Sequence, residues 1–115
     1  MSPAAAVAER YFTAWQAQDE DTLRDILAAD VTFAGPLGQA EGREDCIAGL
    51  MGMLAIVTDI DVMLQVADGD DVITWFDLHT TLAPPTATAN WSHVENGRIS
   101  RIRVTFDPRP ILAGS

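Results

Sequence analysis

At about residue 57 the apolar rhythm of this chain changes from helical to alternating, which leaves few folds open to it. Before that point apolar residues recur every three or four positions. Val7, Tyr11, Ala14, Trp15 and Gln18 follow this spacing, so Tyr11 and Trp15 lie on one face of a helix. Ser2-Pro3 is a fitting start for it, with Ser as N-cap and Pro at the first helical position. Asp19-Glu20-Asp21 closes this helix and opens a second, whose buried stripe is Leu23, Ile26 and Leu27. Carboxylates suit a helix N-terminus, so these charges read as a solvated cap and not as a metal site. Val31-Thr32-Phe33 reads as a short strand, and Gly35-Pro36-Leu37-Gly38 as a turn. Gly42-Arg43-Glu44-Asp45 opens a third helix with Ile47, Leu50, Met51 and Leu54 on one face, the methionines serving as core filler.

After residue 57 the period is two. Asp59, Asp61 and Met63 alternate with Ile60, Val62 and Leu64. The acidic turn Ala67-Asp68-Gly69-Asp70-Asp71 lacks the spacing and terminal Glu of a calcium loop, so it reads as a hairpin turn. Val72 to Leu82, Thr86 to Val94 and Arg98 to Phe106 read as further strands, and Asn96-Gly97 is a strong hairpin signal. Helices first and long strands last describe an α+β fold: a curved antiparallel sheet with three helices packed on one face.

A chain of 115 residues with 48% apolar content is long enough for one domain, taken here as residues 1–115, with a core that needs no staples. The lone Cys46 excludes an internal disulfide, fits a reducing cytoplasm and reads as a packing residue of the third helix. No apolar run is long enough to span a membrane, and Met1 to Ala6 lacks the features of a secretory leader. The expected location is cytoplasmic. Net charge is −10, and every basic residue is arginine. Such a field repels phosphate backbones, so no nucleic-acid or membrane partner is expected. Arg98, Arg101 and Arg103 are the only local basic group, either a solvated, salt-bridged face or an anionic-ligand site. Two histidines without suitably spaced carboxylates argue against a metal.

Facing is the harder question. Pro84-Pro85 cannot supply the positive φ angles of a two-residue primed turn. A four-residue loop, Ala83 to Thr86, would pair Leu82 with Ala87, His79 with Asn90, Asp77 with Ser92 and Trp75 with Val94. Opposed residues share a face. This register predicts Trp75, Asp77, His79, Asn90 and Ser92 on a polar, cavity-lining face. Phe76, Leu78, Trp91 and His93 would take the other face, which is apolar enough to be a dimer interface. A loop one residue longer or shorter reverses the parity.

The chain resembles the nuclear transport factor 2-like superfamily, in particular its SnoaL-like and ketosteroid isomerase-like members. The resemblance rests on Glu9-Arg10-Tyr11-Phe12-Thr13-Ala14-Trp15 with Gln18-Asp19, on Leu27-Ala28-Ala29-Asp30-Val31-Thr32-Phe33, on Glu41-Gly42-Arg43 and on Val94-Glu95-Asn96-Gly97-Arg98-Ile99. It covers residues 5–107. It implies a cone of curved sheet capped by three helices on its concave side (a cystatin-like roll), an internal pocket, a homodimer, and enzymes that mostly need no cofactor. It is specific for fold and weak for function, because the superfold carries many activities. Tyr11 matches the helix-1 tyrosine that resembles the oxyanion donor of ketosteroid isomerase, and Asn90 the late-strand position of its second donor. The general-base aspartate corresponds to Gly35, before Pro36-Leu37-Gly38, so that base is missing. SnoaL-like cyclases hold a histidine where Asn90 stands and an acidic base where Val104 stands. His93 and Asp107 have the spacing of that pair but align three residues out of register.

Asp77 beside His79 therefore remains the candidate acid or base, with Tyr11 and Asn90 as oxyanion donors. The same Asp77 and His79 also read as a structural pair at a cavity rim. Trp15, Trp75, Ser92, Phe33, Val104 and Phe106 are the expected substrate contacts. The leading expectation is a cofactor-independent isomerase, cyclase, dehydratase or epoxide hydrolase acting by proton transfer on a small hydrophobic carbonyl or epoxide compound. The alternative is a non-catalytic small-ligand-binding or dimerisation domain. The expected partners are a small hydrophobic molecule and a second copy docked through the outer sheet face.

Overall fold

The computed structural model describes residues 2–114. Helix α1 spans Pro3–Gln16. The Ser2 hydroxyl caps it by accepting from the Ala5 amide at 3.1 Å, and Pro stands at its first position. Its buried stripe is Val7, Ala8, Tyr11, Phe12, Ala14 and Trp15. Helix α2, Glu20–Ile26, is capped by Asp19, whose carboxylate accepts from the Thr22 amide and hydroxyl. The acidic run is thus the solvated cap that its sequence suggests.

Strand β1 (Leu27–Gly35) is longer than its apolar core implies, and β2 (Gly38–Glu41) returns beside it around Pro36-Leu37. Strand β2 escapes a reading by alternation because it is short and polar. Helix α3 spans Arg43–Met53. It is followed by β3 (Val57–Asp68), β4 (Asp71–Thr80), β5 (Thr86–Glu95) and β6 (Arg98–Thr105). A short α4, Arg109–Gly114, follows, anchored by the buried Ile111. The Asn96-Gly97 turn carries positive φ at both residues, as a type I′ hairpin demands.

The six strands form one mixed sheet in the order β2-β1-β6-β5-β4-β3. Only β1 and β6 run parallel, so β6 joins the first strand of the chain to its last hairpin. Register shifts near Val62–Leu64 in β3 and near His93–Val94 bend the strands. One core gathers the helices against the inner face of the sheet. The Trp15 indole N–H donates to the Leu50 carbonyl at 2.9 Å and ties α1 to α3.

The β4–β5 register differs from the expected one. Leu78 lies opposite Thr86, Phe76 opposite Thr88, Thr74 opposite Asn90 and Val72 opposite Ser92. Parity is reversed on β4 and kept on β5. Val72, Thr74, Phe76 and Leu78 face inward with Thr88, Asn90 and Ser92. Trp75, Asp77 and His79 face outward with Trp91 and His93. The reason is the loop. After Leu78 the backbone leaves the β5 ladder: the Thr81 amide donates to the Ile56 carbonyl at 2.9 Å, and the Leu82 amide to the Thr80 hydroxyl at 3.3 Å. Pro84 and Pro85 have no N–H to offer a ladder. The alternative parity would also bury Asp77 and His79 and expose Phe76 and Leu78, at the cost of unpaired polar burial.

Candidate functional site

Between α1, α3 and the inner sheet face lies a cavity of about 370 Å³. Its walls are Tyr11 and Trp15 from α1, Cys46, Gly49, Leu50 and Met53 from α3, and Phe76, Leu78, Thr88, Asn90 and Val104 from the sheet. Phe33, Ile56 and Phe106 complete the apolar lining, and the Gly35–Ala40 turn forms one side. Leu37 on that turn is exposed, which marks the mouth.

Most polar groups of the deep lining can be followed to a partner, while Gln39 lies exposed on the Gly35–Ala40 turn. The Trp15 N–H is held by Leu50. The Thr88 hydroxyl donates to the Thr86 carbonyl at 3.0 Å. The buried Ser92 hydroxyl donates to Asn90 Oδ1 at 2.9 Å. That bond turns the Asn90 amide nitrogen toward Tyr11, and the Asn90–Tyr11 hydrogen bond favours the phenolate, as a donated N–H does. The Tyr11 hydroxyl proton is then the donor left for the cavity. Burial, with Cys46 adding to it, nonetheless pushes the Tyr11 phenol well above its ordinary value, so it stays protonated. Burial and the nearby Asp45 likewise push the Cys46 thiol up to about 12. Among the described residues that line the cavity, none is Asp, Glu, His, Lys or Arg.

Of the residues singled out from sequence, Tyr11, Asn90, Trp15, Phe33, Val104 and Phe106 meet in this cavity. Ser92 sits behind Asn90 as its hydrogen-bond partner and not in the wall. Trp75 stands on the outer face, 47% exposed. Asp77 and His79 also stand there, opposite Asp61 and Asp59 of β3, so the expected acid–base pair is separated from Tyr11 and Asn90 by the sheet itself. Phe76, Leu78 and Thr88 were missed as wall residues. The signal for Phe76 and Leu78 was their own apolar alternation, which the assumed loop length overrode.

The other candidates are engaged elsewhere. Asp107 is chelated by Arg109, which holds its carboxyl down at about 2. His93 Nδ1 lies 2.8 Å from Asp71 Oδ1 on the outer face, and the Trp91 N–H donates to the same oxygen at 2.8 Å. Arg98 donates to the Asp25 carbonyl, and Arg101 stacks on Trp91 at 4.8 Å from the ring centroid. The three arginines therefore do not converge on a common point. Among the described residues no cluster of His, Cys, Asp or Glu has metal-binding geometry, and no helix is long and apolar enough to cross a membrane.

Comparison with solved structures places the fold. A protein from Kribbella flavida DSM 17836 is 25% identical, with a TM-score of 0.87 over 95% of this chain and 90% of that one. An NTF2-like protein of unknown function from Cytophaga hutchinsonii ATCC 33406 is 24% identical, with a TM-score of 0.83 over 95% and 94%. An LEH-like epoxide hydrolase of M. tuberculosis is 23% identical, with a TM-score of 0.80 over 97% and 88%. No functionally curated protein matches the sequence. The family model described as a SnoaL-like domain matches residues 8–103, from within α1 to near the end of β6. With helices packed on the inner face of a six-stranded sheet, the inward Tyr11–Asn90 pair and this match over most of its length, the chain belongs to the SnoaL-like family.

Proposed function

We propose that the protein binds a small, neutral, mostly apolar molecule that carries one hydrogen-bond acceptor, and that it does so without an internal general base. The observation that carries this reading is the lining itself: apolar walls, the buried Tyr11 phenol as the deep donor, the Gln39 amide at the turn, and no Asp, Glu, His, Lys or Arg. An apolar ligand gains from leaving water, while a carbonyl or ether oxygen takes the Tyr11 proton. An anion would meet no cation in the walls and a protein of net charge −10 outside them.

A second reading keeps turnover. It is favoured by the Tyr11 hydroxyl among the cavity walls and by the epoxide hydrolase among the structural neighbours. It requires a base that comes from the substrate or from solvent, because Asp77 and His79 lie across the sheet.

Calorimetric titration with a cyclic ketone, its hydrocarbon analogue and a carboxylate of the same size tests the proposal. The expected order of affinity is ketone, then hydrocarbon, then carboxylate, with no product formed. Tightest binding of the carboxylate would sink the neutral-ligand reading, and turnover abolished by Asp77→Asn would restore the acid–base pair.

A further inference from the structure

Resting on the neutral-ligand reading of the cavity, we infer that its ligand is an unbranched apolar chain with an oxygen at the deep end. Gly49 and Gly52 of α3 form the slot through which that chain passes, and they set the length accepted. Among the described residues of the lining, Tyr11, Cys46, Thr88 and Asn90 are buried. The exposed ones fall into two groups: Pro36 to Gln39 on the β1–β2 turn, and Gly49 and Gly52 on α3. The cavity therefore has a closed polar end and an open side between turn and helix.

The two helix glycines have no backbone or packing reason of their own. Neither has a positive φ. A Cβ built at either would stand in open space, with no packing neighbour within 4 Å. Glycine weakens a helix interior relative to alanine, so local structure alone does not explain them. The turn differs at Gly35, where a Cβ would meet the Phe33 ring at 3.3 Å and Val104 at 3.5 Å. What the missing side chains leave is width on the open side. Cys46, Gly49 and Met53 recur at helical spacing, so one face of α3 runs from the buried end to the open one. The run from Cys46 to Gly52 covers about 9 Å at 1.5 Å per residue.

A chain gains most by lying in one direction. An oxygen at the buried end accepts from Tyr11, whereas the reverse direction sets that donor against alkyl carbon. A tail that leaves through the slot meets no charge. Residues 31–40 and 46–58 contain no Asp, Glu, His, Lys or Arg, in a chain with 17 acidic residues. The flexible Met53 thioether can follow chains of different length. At about 30 Å³ for each water-sized group, the 370 Å³ cavity holds about a dozen heavy atoms. The ligand class is thus a straight-chain ketone or aldehyde of medium length.

Calorimetric titration of the full chain with 2-hexanone, 2-octanone and 2-decanone tests this on wild type, Gly49→Leu, Gly52→Leu and Ala48→Leu. Leucine favours helix over glycine, so both glycine variants should melt at or above the wild-type temperature. Wild-type affinity should rise about two- to fourfold per added methylene, the upper figure being that of full burial. In Gly49→Leu and Gly52→Leu the decanone-to-hexanone affinity ratio should fall tenfold or more. Ala48→Leu, exposed on the same helix but outside the lining, should keep the wild-type ratio. A wild-type ratio near one would overturn the slot, as would glycine variants that keep the wild-type ratio or an Ala48→Leu that loses it equally. In each of those cases ketone binding weakened by Tyr11→Phe would leave the neutral-ligand reading standing. No ketone binding at all would overturn both.

Discussion

The buried Ser92 hydroxyl donates to Asn90 Oδ1 at 2.9 Å, and through that bond it sets which end of the Asn90 amide meets Tyr11. The orientation of one lining amide thus depends on a residue that does not line the cavity. Ser92→Ala leaves a buried carbonyl oxygen without its donor and frees the amide to turn. Unfolding free energy should fall by about 1–3 kcal/mol in urea titrations. Ketone affinity should fall with it, whereas hydrocarbon affinity should stay near wild type. Equal losses for both ligands would make Ser92 a packing residue only.

Tyr11→Phe removes the buried donor and keeps the ring, which packs edge-on against Phe12 with centroids 5.0 Å apart. Loss of one neutral hydrogen bond, about 1 kcal/mol, should weaken a ketone roughly fivefold and leave the hydrocarbon unchanged. Calorimetry on the matched ligands reads this difference directly.

Gly35→Asp tests the empty position. A Cβ built there lies 3.3 Å from the Phe33 ring edge and 3.5 Å from Val104 Cβ, both in the cavity wall. The ring must give by a few tenths of an ångström. The new carboxyl sits among apolar walls, so its folded pKa rises above the unfolded value. The variant should lose about 1–3 kcal/mol of stability at neutral pH and less at acid pH, where the group is protonated in both states. It should also exchange α-deuterium from a bound cyclic ketone, followed by NMR, where wild type does not.

The Asp71–His93 contact predicts a pH window for stability. The Asp71 hydrogen bond raises the His93 pKa above 6.5, so its contribution is complete below that value and fades as pH rises through the folded pKa. The Trp91 and His93 hydrogen bonds lower the Asp71 pKa below 3.8, so its contribution is complete above that value and is lost as pH falls through the folded pKa. The pair is fully formed between those two reference values. Asp71→Asn should therefore cost more stability at pH 5.5 than at pH 9 in parallel urea titrations, with a small effect because both side chains meet solvent.

Cys46 offers a probe of the cavity wall. Its thiol is buried, with a pKa pushed up to about 12. Alkylation by iodoacetamide at pH 8 should be far slower in native protein than in urea.

The helices, their caps and the Asn96-Gly97 hairpin were legible because local spacing and turn chemistry determine them. So was the meeting of Tyr11 with Asn90, which the family resemblance supplied. The facing of β4 was not. Side chains alternate with period two, so the fate of Asp77 and His79 depended on whether Leu82 belonged to the strand. Its amide goes to Thr80 and not to β5, a choice made by the loop and by the burial of Phe76 and Leu78. Strand β2 was invisible for a different reason: Gly38–Glu41 carries no apolar alternation, and its pairing with β1 comes from the turn before it.

The parallel pairing of β1 with β6 also governs when the domain can be completed during synthesis. Leu27 lies beside Ile99, and Phe33 beside Ile102, contacts that span most of the sequence. Such high contact order slows folding, because a long loop must close before any of these pairs is formed. Strand β1 can pair with β2 early, but its other edge has no partner until Arg98–Thr105 has left the ribosome. A nascent chain stalled before β6 would carry an open β1 edge, ready to pair with another chain.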